Sequence, residues 1–362
     1  MQRFATMRSL FIVRAKSVLW VSSLMILAFI VSCKKDSANI SSGNTHVARP
    51  DTSTTSTGTA GGTGAAGGTG STTNPGGTTG TPINYTPSPA IIMSGTHDLT
   101  ISGLATPSIT LNNCRNITIK NCKIGPNKYT GIQTSHCTNI KVDSCYIYNV
   151  STGVYAADSQ TIIVTNSQAL NMQGPWPKGA FVQFDNVSGG GSKVSFNRLE
   201  NILGQSYPED AISMYKSSGL VNDPIMIEGN WIRGGGPSLT GGGIMLGDNG
   251  GSNIVAQNNI LVDPGQYGMA ISGGTNMSII NNSIYAKAQS FTNVGLYYWN
   301  QSGLPSSNIT ISGNMVNFTS GRFGINNIFL GVGNAIPTGW STNILNARID
   351  ESLLPQQLVA PQ

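Results

Sequence analysis

The sequence predicts an all-β solenoid of stacked parallel coils, and three observations predict it. First, a short phrase recurs along most of the chain: a small residue, an apolar-alternating strand, a turn, and a second alternating strand ending in Asn or a near equivalent. The first strands begin at Gly131-Ile132, Gly153-Val154, Ala180-Phe181, Ala211-Ile212, Gly243-Ile244, Gly268-Met269 and Gly295-Leu296, in steps of 22, 27, 31, 32, 25 and 27 residues. A unit repeating at such a period buries its apolar face only by stacking on its neighbours. Second, Ile117-Thr118-Ile119, Ile140-Lys141-Val142, Ile225-Met226-Ile227, Ile254-Val255-Ala256, Met277-Ser278-Ile279 and Ile309-Thr310-Ile311 alternate with period two. No useful helical period lies between them. Third, like residues recur at coil spacing: Asn230, Asn259, Asn282 and Asn314 form one column, and Cys114/Cys137 and Cys122/Cys145 are pairs 23 residues apart.

Two or three short strands per repeat, joined by Gly, Asn and Ser turns, describe one coil of a parallel β-helix, with coils stacking at roughly 4.8 Å. A leucine-rich repeat would need a helix or a regular Leu/Asn pattern, and the sequence has neither. The expectation is a single-stranded parallel β-helix of about nine coils over residues 88–334. Residues 335–362 are expected to be irregular and to cap its open end through Trp340, Ile344, Leu353 and Leu354, because an uncapped end exposes unpaired backbone.

Composition suits this reading. Only 10% of residues are charged, and the chain holds 45 glycines. The formal charge of +5 is inflated by Arg3, Arg8, Arg14, Lys16, Lys34 and Lys35. The remainder is nearly neutral, so nucleic acid is not an expected partner. Residues 1–32 have the charged-then-apolar order of a signal peptide, and the apolar run from Val18 to Val31 is short for a membrane span. Ile30-Val31-Ser32-Cys33 resembles a bacterial lipobox. The resemblance implies lipidation of Cys33 and a membrane anchor on the outer membrane, at the cell surface or the periplasmic face; an ordinary signal peptide with an incidental Cys is the alternative. Residues 33–87, rich in Gly, Thr, Ser and Ala, read as a flexible tether that cannot offset its own ordering entropy. The module beyond it is expected to be a monomer.

Four cysteines remain beyond Cys33. Stacked one coil apart, they suit either disulfides or free thiols packed in a column. His46, His97 and His136 are scattered, and zinc-type spacing is missing.

The interior of a β-helix is packed, so chemistry must lie on its outer faces and turns. The longest coils span residues 154–243. Their extra residues, Gly174–Gly179, Gly204–Asp210 and Gly234–Gly242, precede the first strand of each coil. Stacked on one side, they wall a groove open to a polymer. On its floor, Ser213 and Tyr215 face outward, while Ile212 and Met214 face inward. Counting four residues past the first apolar residue of each strand gives His136, Asp158, Asp185, Lys216, Asp248, Gly273 and Asn300, which places Lys216 between Asp185 and Asp248. Glu209, Asp210 and Arg233 lie close in sequence. Trp176, Lys178, Tyr207, Tyr215, Tyr267 and Trp299 are candidate contacts for sugar; an aromatic here also serves packing, and the charges also suit a solvated ladder capping the strand ends.

Acids around a lysine suit two chemistries. In β-elimination of a uronate polymer, Lys216 acts as base, Arg233 binds the carboxylate, and Glu209, Asp210, Asp185 and Asp248 hold calcium, the one cofactor such a cluster admits. In glycoside hydrolysis a pair of those carboxylates acts as acid and base.

The repeat over residues 90–330 resembles the right-handed parallel β-helix families, which include pectate, alginate and chondroitin lyases, polygalacturonases and uronan epimerases. The resemblance implies a right-handed β-helix here. Pro208-Glu209-Asp210-Ala211-Ile212-Ser213-Met214-Tyr215-Lys216 resembles the Asp-Asp-Gly-x-Asp-Leu-Tyr stretch of calcium-dependent pectate lyases and the Gly-Asp-Asp-Cys-Ile-Ala of polygalacturonases. Glu209 and Asp210 fall on the paired acids of both. Ser213 stands where the lyase stretch has a further Asp, and the family's lysine is offset by one from Lys216. The polygalacturonase Gly-His-Gly and Arg-x-Lys are missing. The expectation is therefore a surface-anchored polysaccharide lyase acting on an acidic glycan, with catalytic Lys216, Arg233 and Asp210. A glycan-binding or adhesive lipoprotein is the second reading, and a hydrolase of polygalacturonase type the third.

Overall fold

A computed structural model describes residues 84–175 and 179–362. The expected export segment, Cys33, the expected tether up to residue 83, Trp176 and Lys178 lie outside them. The described chain is a right-handed parallel β-helix. Each full coil gives one strand to each of three sheets. The first sheet has ten strands, from Ile91–Ser94 to Ile328–Leu330; the second has nine, from His97–Ser102 to Thr310–Ser312; the third has twelve, from Thr86–Pro87 through Met315–Ser320 to the short strands Gly324–Ile325 and Ile344–Leu345. All pairings are parallel except the return of Gly324–Ile325 onto Met315–Ser320. Among the described residues there is no α-helix; two short 3-10 turns lie near the C-terminus.

Alternation builds the core. Inward residues such as Ile132, Val154, Val182, Ile212, Ile244, Met269 and Leu296 stack directly in the first sheet. They join one continuous buried cluster with the second-sheet column Ile117, Ile140, Ile162. The turns between sheets are tight because one residue at each corner takes the left-handed conformation. Between the first and second sheets these are Asn113, His136, Asp158, Asn186, Lys216 and Asn249, with φ between 47° and 58°. Asn and Asp enter that region more easily than other side chains, which explains the recurring Asn at strand ends.

The turn from the second to the third sheet carries a ladder of buried amides. Each Asn side chain donates to the Oδ1 of the next through Asn197, Asn230, Asn259, Asn282, Asn314 and Asn343, at 2.7–3.0 Å. The same column runs downward through Ser167, whose Oγ accepts from the Cys145 amide, to Cys145 and Cys122. The cysteine pair and the asparagine column of the sequence are thus one ladder, and all four described cysteines are buried free thiols.

Near the end of the rod, Trp340 packs on the core, and Ile344–Leu345 pairs with Met315–Val316. Leu353 and Leu354 do not cap the end. From Glu351 the chain runs back along the outer face of the third sheet as a strap. Arg233 Nη2 donates to the carbonyls of Glu351 and Leu354 at 2.9 and 2.7 Å. Buried Glu200 accepts from the amides of Leu358 and Val359 at 3.0 and 2.7 Å. Lys123 and Tyr85 hold Gln362, while Leu354, Leu358 and Val359 bury against Tyr146, Leu170 and Val262. Glu200→Ala leaves two buried amides without an acceptor. It should cost about 2 kcal/mol and make the last dozen or so residues the first site of carboxypeptidase or protease attack, read by mass spectrometry of timed digests. Equal resistance in variant and parent would contradict this.

Candidate functional site

The first sheet has two outward columns, and the middle of the first, from Ser213 to Tyr297, is itself buried. One runs Tyr155, Gln183, Ser213, Met245, Ala270, Tyr297, Phe329. The other runs Ala157, Asp185, Tyr215, Asp248. Asp185 and Asp248 therefore sit directly below and above Tyr215, not Lys216. Two local irregularities cause this one-residue correction. In the coil after Ala180 the strand starts at Val182, because both Phe181 and Val182 are buried. In the next-but-one coil a register shift between Ser213 and Tyr215 lets Gly247 add a residue before Asp248.

Lys216 occupies the exposed left-handed corner after that column, in line with Asn186 and Asn249. Its Nζ lies 5.0 Å from the centre of the Tyr215 ring. It has no ion-pair partner among the described residues. Arg233 is on the third sheet, paired beside Glu200 and Val262 and committed to the strap. The expected base and carboxylate ligand thus do not meet the acids. A corner role for Lys216 has a clear signature: Lys216→Asn should raise stability by about 0.5–1 kcal/mol, because Asn is less strained at positive φ, and leave any turnover unchanged. Thermal melts with a parallel activity assay check both.

Asp210 is the best-positioned acid. It lies at the edge of the first sheet, in register with Gly242 of the next coil and Tyr267 of the coil beyond. The Tyr267 hydroxyl donates to Asp210 Oδ1, and the Gly242 amide donates to the same oxygen at 3.1 Å. Tyr267 is fully buried, so it positions Asp210 and offers no face to a sugar. The reach across two coils requires glycine between them: a Cβ at residue 242 would lie 2.5 Å from the Tyr267 carbonyl oxygen and 2.7 Å from its ring. Burial pushes the Asp210 carboxyl up to about 7; the Tyr267 hydroxyl opposes this, and Glu209 and Asp248 add to it. The residue as a whole is only partly buried. Burial also raises the Asp248 carboxyl above its ordinary value.

The neighbouring groups are held in place. Glu209 accepts from Ser238 Oγ and Thr240 Oγ1, both at 2.6 Å, and so pins the long loop before Gly242. Asp185 accepts from the Tyr155 hydroxyl at 2.5 Å. Asn249 donates to the Tyr215 hydroxyl at 3.0 Å. Tyr297, which sequence reasoning did not single out, packs edge-on to Tyr267 with ring centres 5.3 Å apart, and its hydroxyl is raised by burial and then by Asp210 and Asp248. Tyr207 is exposed on the loop before Asp210. Among the described residues no group of three or more His, Cys, Asp or Glu is arranged to hold a metal ion. The structure thus brings Asp185, Asp210, Tyr215 and Asp248 onto one face, with Tyr155, Tyr267 and Tyr297 around them.

Fold and site together define a parallel β-helix whose first sheet carries Asp185, Asp210, Tyr215 and Asp248 on one face. The family model described as "Right handed beta helix region" matches residues 90–236. Among solved structures, the chain is similar to a variant of the GH87 alpha-1,3-glucanase catalytic domain in complex with tetrasaccharides, at 13% identity over 65% of this chain and 54% of that one, with a TM-score of 0.37. It is also similar to the catalytic domain of GH87 alpha-1,3-glucanase in complex with nigerose, at 13% identity over 64% of each chain, with a TM-score of 0.26. The chain spans roughly half to two thirds of the length of those domains. No curated protein matches it.

Proposed function

We propose that the protein is carbohydrate-active, that its first-sheet groove takes a polysaccharide, and that it hydrolyses that polymer with Asp210 as general acid and Asp248 as the carboxylate partner. One observation carries this reading: the Asp210 carboxyl, fixed by the Tyr267 hydroxyl and the Gly242 amide and raised by burial to about 7, stands on the same face as Asp185 and Asp248. Glycoside hydrolysis needs one carboxyl protonated at working pH and another ionised. Unequal burial is how a protein separates two such groups.

β-Elimination asks for something different. A uronate must have its carboxylate neutralised, and a basic side chain must reach the adjacent proton. Lys216 at the corner and Arg233 under the strap supply neither, while an ionised Asp185 and Asp248 would repel an acidic polymer. The groove chemistry therefore favours a neutral glycan. The full chain, incubated with neutral and uronate-containing polysaccharides, should release new reducing ends from a neutral polymer without the ultraviolet absorbance of an unsaturated product. Absorbance growing with a uronate polymer would establish the lyase instead. Retention of a polysaccharide with neither product would make the groove a binding surface only.

A further inference from the structure

Two coils above Asp248, the first sheet presents a tryptophan. Leu246, Ile271, Tyr298 and Leu330 are in register, so the residues after them, Gly247, Ser272, Trp299 and Gly331, follow one another up the sheet, with Asp248 one position beyond Gly247. At roughly 4.8 Å per coil, Trp299 stands about 10 Å from Asp248 along the rod. The ring is about a third exposed, at 36%. It is also held: a Cβ on Gly331 would collide with the indole, so the ring rests on bare glycine backbone. Phe329, itself exposed, meets it edge-on with ring centres 6.3 Å apart. A large aromatic left in water, supported from beneath and braced from the side, is a preorganised flat surface. Its order is already set before a ligand arrives, so binding costs little additional rotamer entropy.

We infer that Trp299, seated on Gly331 and braced by Phe329, is a stacking platform for a sugar ring, and that it makes the polymer run along the rod axis from the acids toward the C-terminal coils. This rests on the groove reading above but not on hydrolysis. A platform two coils from the acids touches only a chain long enough to span that distance, so it should discriminate by length.

The test uses the full chain carrying Asp210→Asn, which holds substrate without turnover, and calorimetric titration with disaccharides and hexasaccharides of neutral glucans, mannans and xylans. Trp299→Ala should weaken binding of the preferred hexasaccharide by about tenfold, the loss expected of one aromatic contact, and leave the disaccharide unchanged. Trp299→Phe should restore most of the affinity. Gly331→Ala, which keeps the indole but lifts it from its seat, should weaken the hexasaccharide as well; unaltered melting temperatures show that these variants fold. Equal hexasaccharide affinity in Trp299→Ala and its parent overturns the inference, as does failure of every neutral hexasaccharide to bind the parent. Trp299-dependent binding in a protein that hydrolyses nothing keeps the platform and removes only the hydrolytic reading.

Discussion

Asp210→Asn should lower the rate of polysaccharide hydrolysis by about two to four orders of magnitude, the range associated with loss of a positioned general acid. It should do so without unfolding the protein. The amide oxygen of Asn still accepts from the Tyr267 hydroxyl and the Gly242 amide, which are the two partners of Asp210 Oδ1. The pH dependence provides a second signature. Because the Asp210 carboxyl is raised to about 7, the parent should lose its active, protonated form as pH rises through that value. The stability sign follows from the same shift. Between roughly pH 4 and pH 7 the folded state binds a proton that the unfolded state has released, so stability falls as pH rises across that window. Asn carries no charge and removes this loss. Above pH 7, therefore, Asp210→Asn should be inactive yet at least as stable as the parent, whereas a merely structural Asp210 would give a destabilised variant and no matching limb in the rate profile. Initial rates and melting temperatures measured across that pH range decide between them.

The fold is legible in the sequence because a solenoid converts a linear period into direct contact. The residues read as strand starts do stack: Ile132, Val154, Ile212, Ile244, Met269 and Leu296 occupy one column. The asparagines at coil spacing do form a ladder. The site was less legible because it depends on departures from the period. A buried pair at Phe181 and Val182 and an extra glycine at 247 each move an aspartate by one position, and in a strand one position changes the neighbour and the face. Trp231-Ile232-Arg233 reads as an ordinary strand, and nothing local marks Arg233 as the anchor of a segment more than a hundred residues later. Tyr267 looked like a sugar contact because an aromatic beside a turn usually sits near the surface. Its burial follows from the bare backbone at Gly242, which lets the ring lie against the coil below in a buried cluster with Met245, Ala270, Val294 and Tyr297, apart from the main core.

Asn259→Ala should be among the most damaging single changes in the rod. Asn259 is fully buried and uses every hydrogen-bonding site of its amide. Its Nδ2 donates to the Ile227 carbonyl and to Asn282 Oδ1, and its Oδ1 accepts from the backbone and side-chain nitrogens of Asn230, all at 2.9–3.0 Å. Alanine leaves two donors on Asn230 and the Ile227 carbonyl in a place that water cannot easily reach. At about 1–3 kcal/mol for each buried group left unpaired, partial relaxation still leaves a loss of about 3–5 kcal/mol. For a domain of this size that is a fall in melting temperature of roughly 10 °C. Serine supplies a graded control, since Ser167 serves the same column lower in the rod by accepting from the Cys145 amide through Oγ. Asn259→Ser should therefore keep one of the lost bonds and fall between parent and Asn259→Ala. The position of the break matters as much as its size. In a stack where each coil touches only its neighbours, weakening one interface uncouples the two halves. Amide hydrogen exchange in Asn259→Ala should therefore accelerate most in the coils from Asn259 toward the C-terminus, with those held by the strap around Glu200 and Arg233 affected least; uniform acceleration, or a loss under 1 kcal/mol, would show that the ladder does not couple the coils.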